Sequence, residues 1–297
     1  MSLTSLTDLP APAKLNLFLH VVGKRADGYH LLESLFVLID WADTLHLELR
    51  TDGQLYRHDL GPALPADDLC LRAARALQAA SGTTLGVDIS IDKQVPWGAG
   101  MGGGSSDAAT VLLGLNRLWG LNWPRSRLLA IGEKLGADVP FFIGGRNAYV
   151  QGIGEILTPV SWPRQWLAVV KPPVAIATKE IFSSPLMTTR KSDAIVMDSV
   201  ADTALELQKL LVEQCSEGGN DLQAAAEALS AEVEQARHWL VQAFGNGRMT
   251  GSGSAVFADA GTGNHPVAAL PEGKLPAGWA SKMCRTLDHH PLVGWAS

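Results

Sequence analysis

Cysteine is scarce in this chain: there are three, Cys70, Cys215 and Cys284, odd in number and far apart. They form no CxxC pair and no Cys/His cluster with zinc-ligand spacing, so they read as reduced, mostly buried thiols and not as a disulfide framework or a structural zinc site. Basic residues are also few, 24 against 30 acidic for a net charge of -6, and no run or stripe of Lys and Arg stands out. That balance disfavours a nucleic-acid or anionic-membrane partner. Long hydrophobic runs are missing too, and the N-terminal MSLTSLTDLPAPAK has neither the basic nor the apolar region of a signal peptide. The expectation is a cytoplasmic protein, with no nucleic acid and no membrane as partner.

What is plentiful is apolar side chain: 46% of the 297 residues are hydrophobic and 18% charged, enough for a well-buried core and two domains sharing one cleft. From Lys14 to about Arg50 the pattern is strand-like, Leu15, Leu17 and Leu19 alternating at one end and Leu45, Leu47 and Leu49 at the other, with a turn over Gly23 to Gly28. Asp67 and Asp68 stand as caps before Leu69, Ala73, Leu77 and Ala80 at helical spacing, and Gly82 closes that helix. Val87 to Ile91 is a short strand. A glycine-dense stretch, Pro96 to Gly104, then runs through Ser105, Ser106 and Asp107 into a helix with Ala108, Val111, Leu112, Leu115 and Leu118 on one face.

A further helix near Pro124 to Leu135 leads to Gly136-Ala-Asp-Val-Pro140 and a strand-and-turn region through Gly154, so the first domain is placed at 1–157. In the second, 158–297, Trp166 to Val170 restarts a strand, Ala201 to Val212 and Ala224 to Phe244 carry helical periodicity, and Met249 to Phe257 reads as a glycine-interrupted strand pair. The polar, aperiodic stretch 183–199 is expected to be a loop. Together these elements give an α+β class.

The segment Gly98-Ala-Gly-Met-Gly-Gly-Gly-Ser-Ser106 clusters backbone N–H groups, free of Cβ atoms, at the positive end of a helix, which makes a phosphate site. Gly98, Gly100 and Gly103 also satisfy GxGxxG, but that fingerprint expects an acidic residue about 20 positions further on. None occurs between Asp107 and Glu133. A Walker A loop fails because no Lys follows the glycines at the required place, and the protein-kinase HRD and DFG signatures are absent.

Three motifs, Pro12-Ala-Lys-Leu-Asn-Leu17, Pro96-Trp-Gly-Ala-Gly-Met-Gly-Gly-Gly-Ser-Ser106 and Thr250-Gly-Ser-Gly253, stand in the order of the GHMP kinase superfamily, which the chain resembles over nearly its whole length. Arg25-Ala-Asp-Gly-Tyr-His30, Leu135-Gly-Ala-Asp-Val-Pro-Phe141 and Gly152-Ile-Gly-Glu155 resemble the branch whose small-molecule substrate is a cytidine diphosphate-linked methylerythritol. The resemblance implies a two-domain GHMP kinase fold, with an N-terminal domain like ribosomal protein S5 domain 2 and a ferredoxin-like C-terminal domain. It also implies ATP and Mg2+ as cofactors and phosphorylation of the substrate's 2-hydroxyl, by a monomer or homodimer.

By the same resemblance Asp138 is the catalytic carboxylate that accepts the hydroxyl proton and Lys14 the ammonium that stabilises developing charge. From the residues alone, Asp138 also fits a helix N-cap before Pro140, and Lys14 shares a strand face with Asn16 that is as consistent with solvent as with a cleft. The nucleotide side implied by the resemblance is Lys93, Pro96, Trp97, Gly98, Ala99, Gly100, Met101, Gly102, Gly103, Gly104, Ser105 and Ser106, the two serines helping to hold magnesium or phosphate oxygens. The substrate side is Asn16, Tyr29, His30, Thr178, Phe182, Gly251, Ser252 and Gly253. Tyr29 and Phe182 stack on the pyrimidine, His30 bonds its polar edge, and Asn16 and Thr178 meet the diphosphate or the sugar-like end. By itself Thr178 is an ordinary helix cap, and Glu155 and Asp107 are metal ligands by type only.

The sequence departs from the family pattern where Asp68 stands at the position of a nucleotide-contacting Asn in many relatives, and where Gly261 to Gly278, with Pro266, Pro271 and Pro276, makes a poor helix. Two other readings stay open at this point. One is a GHMP kinase acting on homoserine, mevalonate or a sugar, which would not need Tyr29, His30 and Phe182. The other is a non-catalytic nucleotide-binding relative, which would need neither Lys14 nor Asp138.

Overall fold

The computed structural model describes residues 3–189, 203–270 and 275–297. Its first layer is built on a long antiparallel hairpin, β1 (Ser5–Lys24) and β2 (His30–Arg50), whose register runs from Ser5 opposite Glu48 to Lys24 opposite His30. Asp27 closes the turn by accepting the Tyr29 N–H, next to Gly28 at φ 92°. The strand starts before the predicted Lys14 because Pro10, Pro12 and register shifts between Leu6 and Leu9 and between Pro12 and Lys14 break the alternation that would reveal it. β3 (Leu55–Asp59), a half-buried edge strand, gives no sequence signal at all.

Asp68 caps α1 (Leu69–Ser81) by accepting the Leu71 N–H, and Gly82, left-handed at φ 68°, ends it. β4 (Gly86–Asp92) pairs with the far half of β2 and, in parallel, with β3. α2 (Gly103–Leu118), α3 (Arg125–Leu135) and α4 (Val139–Gly144) follow, then β5 (Ala148–Gln151) against Ser34–Phe36 of β2, and β6 (Ile156–Pro159) against β5. The segment read as strand and turn therefore opens with a short helix, started by Pro140 in its first turn. The helices bury Leu47, Ile89, Leu112 and Phe142 against this sheet in one core.

The second layer contains β7 (Trp166–Lys171), α5 (Thr178–Phe182), α6 (Thr203–Glu217), α7 (Gln223–Leu229), α8 (Ala231–Phe244), β8 (Arg248–Met249), β9 (Val256–Asp259) and β10 (Ala280–Arg285). Its antiparallel sheet has the order β10-β7-β9-β8, the ferredoxin-like order 4-1-3-2. The described parts of 261–278 hold no helix between β9 and β10, in keeping with the poor helical sequence there, and residues 271–274 lie outside the described residues. The single periodic stretch 224–244 is two helices, broken where Ser230 turns extended at φ -149° and ψ 113°. Of the predicted loop 183–199, residues 183–189 are non-helical after the end of α5 and the rest lies outside the described residues, as do Ala201 and residue 202 before α6.

The two sheets face each other across a second core of Leu15, Leu17, Val37, Leu167 and Phe257, while Val170, Ala226, Leu240 and Met249 pack beneath the second sheet. From Ala11 to Val21 β1 is thus covered on both sides, and a polar residue in that stretch is buried wherever it points. β5–β6 pairing carries the first sheet to Pro159, and after β10 the chain returns to that layer: Leu287 donates to the Leu38 carbonyl, and Leu292 and Ala296 join the first core. Arg125 fixes this tail by donating to the carbonyls of Val293 and, at 2.6 Å, Ala296.

Candidate active site

The glycine loop lies where the layers meet. Gly98, Gly100 and Gly102 adopt φ 63°, 73° and 70°, which L side chains rarely reach, and this alternation turns the side chains of Ala99 and Met101 into the second core. Gly102 is the N-cap of α2, whose first N–H groups have no partner within the helix. Lys14 N–H donates to the Met101 carbonyl, docking the loop on β1. The loop also meets the turn 250–253 head on, with Ala255 N–H donating to the Ala99 carbonyl at 3.1 Å. Asn220 holds that turn by donating to the carbonyls of Met249 and Gly251.

Lys14 and Asp138 come together at the mouth of the loop. The ammonium lies 3.6 Å from Asp138 Oδ2, donates to Asn16 Oδ1 at 2.7 Å and sits 4.1 Å from the Phe36 ring centre. Lys14 is 3% exposed, and burial pulls its pKa below the ordinary lysine value, with the charge and hydrogen bond of Asp138 opposing. Asp138 occupies the N-cap position of α4 but makes no capping bond, so its carboxylate is left for the cleft. Asn16 also lines the cleft: besides holding Lys14, its Nδ2 donates one N–H to Ser34 and its Oδ1 accepts from Thr250. In this arrangement it orients the lysine.

A cavity of about 300 Å³ is lined by Lys14, Asp138, the glycines of both loops, Thr178 and Phe182. Past Ile153 and Phe182 it continues into a second cavity of about 580 Å³ with Tyr29, His30, Lys24 and Lys179 on its walls. Tyr29 is 61% exposed there, and the His30 ring stacks on Phe182 with centroids 5.1 Å apart. Burial first, and the Lys24 charge second, pull the His30 pKa below its usual range. Thr178 does not cap α5, whose N-cap is Ala177; its hydroxyl instead meets that of Ser252 at 2.9 Å.

A third cavity, on the far side of the loop, is walled by Pro62 to Pro65 and by Lys93 to Trp97, with Trp97 74% exposed at its edge. Lys93 is not free there, because its ammonium is paired with Asp43 and Asp107. Ser106 is turned away from the cleft: its hydroxyl donates to the Pro12 carbonyl and its N–H to Gly102. That hydroxyl ties α2 to β1. Glu155 folds back onto the Ile153 N–H, and Asp68 pairs with Arg57 as well as capping α1. Arg57 also donates to the carbonyls of Leu64 and Pro65, shaping the wall of this cavity.

Several residues that build the site carried little or no signal. Of the two residues that complete the Asn16 network, Thr250 opens the third motif but has no role there from sequence, and Ser34 is an ordinary strand serine. Asp43, Arg57 and Asn220 lie outside every motif.

The descriptions GHMP kinases N terminal domain and GHMP kinases C terminal match residues 68–146 and 200–262. A 4-diphosphocytidyl-2-C-methyl-D-erythritol kinase of Methylibium petroleiphilum is 60% identical over 297 residues, all of both chains, and one of Paracidovorax citrulli is 52% identical, over 99% of this chain and 98% of that one. A crystal structure of 4-(cytidine 5'-diphospho)-2C-methyl-D-erythritol kinase aligns at TM-score 0.72 and 30% identity, over 94% of this chain and 99% of the other. A homoserine kinase of Cytophaga hutchinsonii, at 14% identity, TM-score 0.67 and 98% and 96% coverage, shares the fold.

Proposed function

The chain belongs to the GHMP kinases, within the 4-diphosphocytidyl-2-C-methyl-D-erythritol kinases, and on that footing we propose that its cleft transfers a phosphoryl group from ATP to the 2-hydroxyl of 4-diphosphocytidyl-2-C-methyl-D-erythritol. The products are the 2-phosphate and ADP, in isoprenoid precursor biosynthesis by the non-mevalonate pathway. The observation that carries this reading is the buried Lys14 beside Asp138, midway between a phosphate-binding loop and a groove with Tyr29 and Phe182 at its end. A substrate reaching from one to the other has an alcohol at one end and an aromatic base at the other.

ATP supplies the phosphoryl group, and the loop fits its phosphates by the unpartnered N–H groups at the start of α2, in a left-handed turn at Gly98, Gly100 and Gly102 where a Cβ would strike Ala175, Thr250 or Phe142. Asp138 orients the substrate hydroxyl and takes its proton as the oxygen–phosphorus bond forms in line with the bond that breaks to ADP. Lys14, held by Asn16, stabilises the charge that develops on the transferring group. Gly98, Gly100 and Gly102 with Gly103, Gly104 and Ser105 present backbone N–H groups, while Ala99 and Met101 anchor the loop in the core. Pro96, Trp97 and Lys93 border the cavity assigned to the nucleotide base. Thr178, Gly251, Ser252 and Gly253 line the diphosphate path to the pyrimidine site of Tyr29, His30 and Phe182.

Magnesium belongs to the reading as the counter-ion of the triphosphate. It would be held chiefly by the phosphate oxygens, since among the described residues no cluster of three His, Cys, Asp or Glu side chains could hold a metal ion. The enzyme is read as a cytoplasmic monomer or homodimer with a small-molecule partner and neither nucleic acid nor membrane; its charge of -6 and three free thiols support this. Among the described residues no helix is long and apolar enough to cross a membrane.

The test is ADP release by the purified protein with ATP and magnesium, comparing the cytidine diphosphate substrate with mevalonate, homoserine and galactose. Turnover of the first alone is the expected result. Turnover of another alcohol in its place removes the pyrimidine site from the reading.

A further inference from the structure

The base of the phosphate loop is closed by three charged side chains to which the reaction gives no chemical step. Lys93, just after β4, donates from its ammonium to Asp43 on β2 and, at 2.6 Å, to Asp107 in the second turn of α2. The other oxygen of Asp43 accepts the N–H groups of Gln94 and Val95 at 2.6 and 2.7 Å. Asp43 is 0% exposed and Asp107 2%. The cluster therefore joins three elements that bracket residues 96–102, fixing both the entry of the loop and the helix on which it ends.

Two carboxylates face one ammonium in a dry place, and Asp107 Oδ1 is buried without a hydrogen-bond partner. Burial pushes the Asp107 pKa well up. Burial also works against the Lys93 ammonium, but the charges of Asp107 and Asp43 outweigh it and raise its pKa, so the ammonium stays charged. A Cβ on Gly103 would lie 3.4 Å from Lys93 Nζ, which puts the ammonium against the first turn of α2. Pinned there by two carboxylates, it cannot also reach far into the cleft.

We propose that Asp43 is a positioning residue for ATP: by holding Lys93 against Asp107 and, at the same time, the backbone of Gln94 and Val95, it sets the spacing between the loop entry and the N-terminus of α2. Lys93 then serves the nucleotide through this clamp, not by a phosphate contact of its own. The inference rests on the kinase reading above.

The variant that isolates it is Asp43→Asn, which keeps an oxygen for the two backbone N–H groups and removes the charge that Lys93 faces. ATP affinity is measured by calorimetry with a non-hydrolysable analogue, and KM for each substrate by ADP release. D43N is expected to weaken nucleotide binding about tenfold or more, with KM for the cytidine-bearing alcohol within about twofold of the parent. Adding Lys93→Met to it costs less than about twofold further, since both changes open one clamp. Unchanged nucleotide affinity in D43N, or losses that multiply in the double variant, overturns the proposal. If D43N does not fold, K93M alone gives the reading: a selective loss of nucleotide affinity supports the clamp, and an equal loss for both substrates overturns it. Failure of the parent to bind the analogue would instead sink the kinase reading.

Discussion

Gly100 and Gly251 meet backbone to backbone: a Cβ on Gly100 would lie 2.5 Å from the Thr250 carbonyl oxygen, and one on Gly251 2.6 Å from that of Gly100. The glycine loop and the turn after β8 are therefore one unit, although 150 residues of sequence lie between the two glycines. Neither contact involves a flexible side chain that could move aside.

Gly251→Ala is accordingly expected to be destabilising and inactivating. Its φ of 56° adds strain to the overlap, and the two effects together are worth about 2 kcal/mol or more. Urea unfolding and ADP release on the same preparation check this. Parent-like stability together with parent-like turnover would show that the two loops are not locked.

Asp138→Asn tests the proton acceptor. The amide keeps the shape of a side chain that makes no capping bond, so the helix loses nothing, while the base is gone. Turnover should fall by about 10² to 10⁴-fold with ATP-analogue binding nearly unchanged by calorimetry. A variant with undiminished turnover removes Asp138 from the mechanism.

How far the sequence revealed all this depends on what each residue needed to be seen. Lys14, Asp138 and the glycines sit in short motifs and were placed by resemblance; periodicity exposed α1, α2 and α3 of the first layer but not α4, whose 6 residues are too few to show a repeat. The polar scaffold was hidden for a physical reason. Asp43 and Asn220 act on segments 50 and about 30 residues away, so only the closed fold defines their partners. Periodicity also misread Ser230, whose extended φ/ψ breaks a helix without Gly or Pro to mark it, and it missed β10, whose ASKMCR pattern lacks clean alternation.

Lys14 has an opposite effect on activity and stability. Because burial depresses its pKa below 10.5, the unfolded chain binds the extra proton in the window just below that value. Stability therefore rises with pH there, whereas an activity that needs the ammonium declines. The alkaline limb of the pH–rate profile is expected below about pH 10.5. Lys14→Met should lower turnover about 10² to 10³-fold yet leave the urea midpoint at neutral pH no lower than the parent's, since a buried charge has been replaced by an apolar stem. A marked loss of stability would mean that the bonds to Asn16 and Asp138 outweigh the desolvation of the ammonium.

His290, in the tail that returns to the first layer, has the acid-side counterpart. Its Nδ1 accepts the Leu292 N–H at 3.0 Å, while Nε2 is buried without a partner. Burial first, then the charges of Arg125 and His289, push its pKa down to about 3. Between that value and the ordinary one of about 6.5 the unfolded chain holds a proton that the folded one does not. Stability is therefore lost as pH falls through this window, on the order of 1 kcal/mol per pH unit. His290→Asn keeps an acceptor for Leu292 and does not titrate there, so its urea midpoint should fall less than the parent's between about pH 6.5 and pH 4.5. Equal falls in the two proteins would show that other groups set the acid lability and that the tail does not sense the proton.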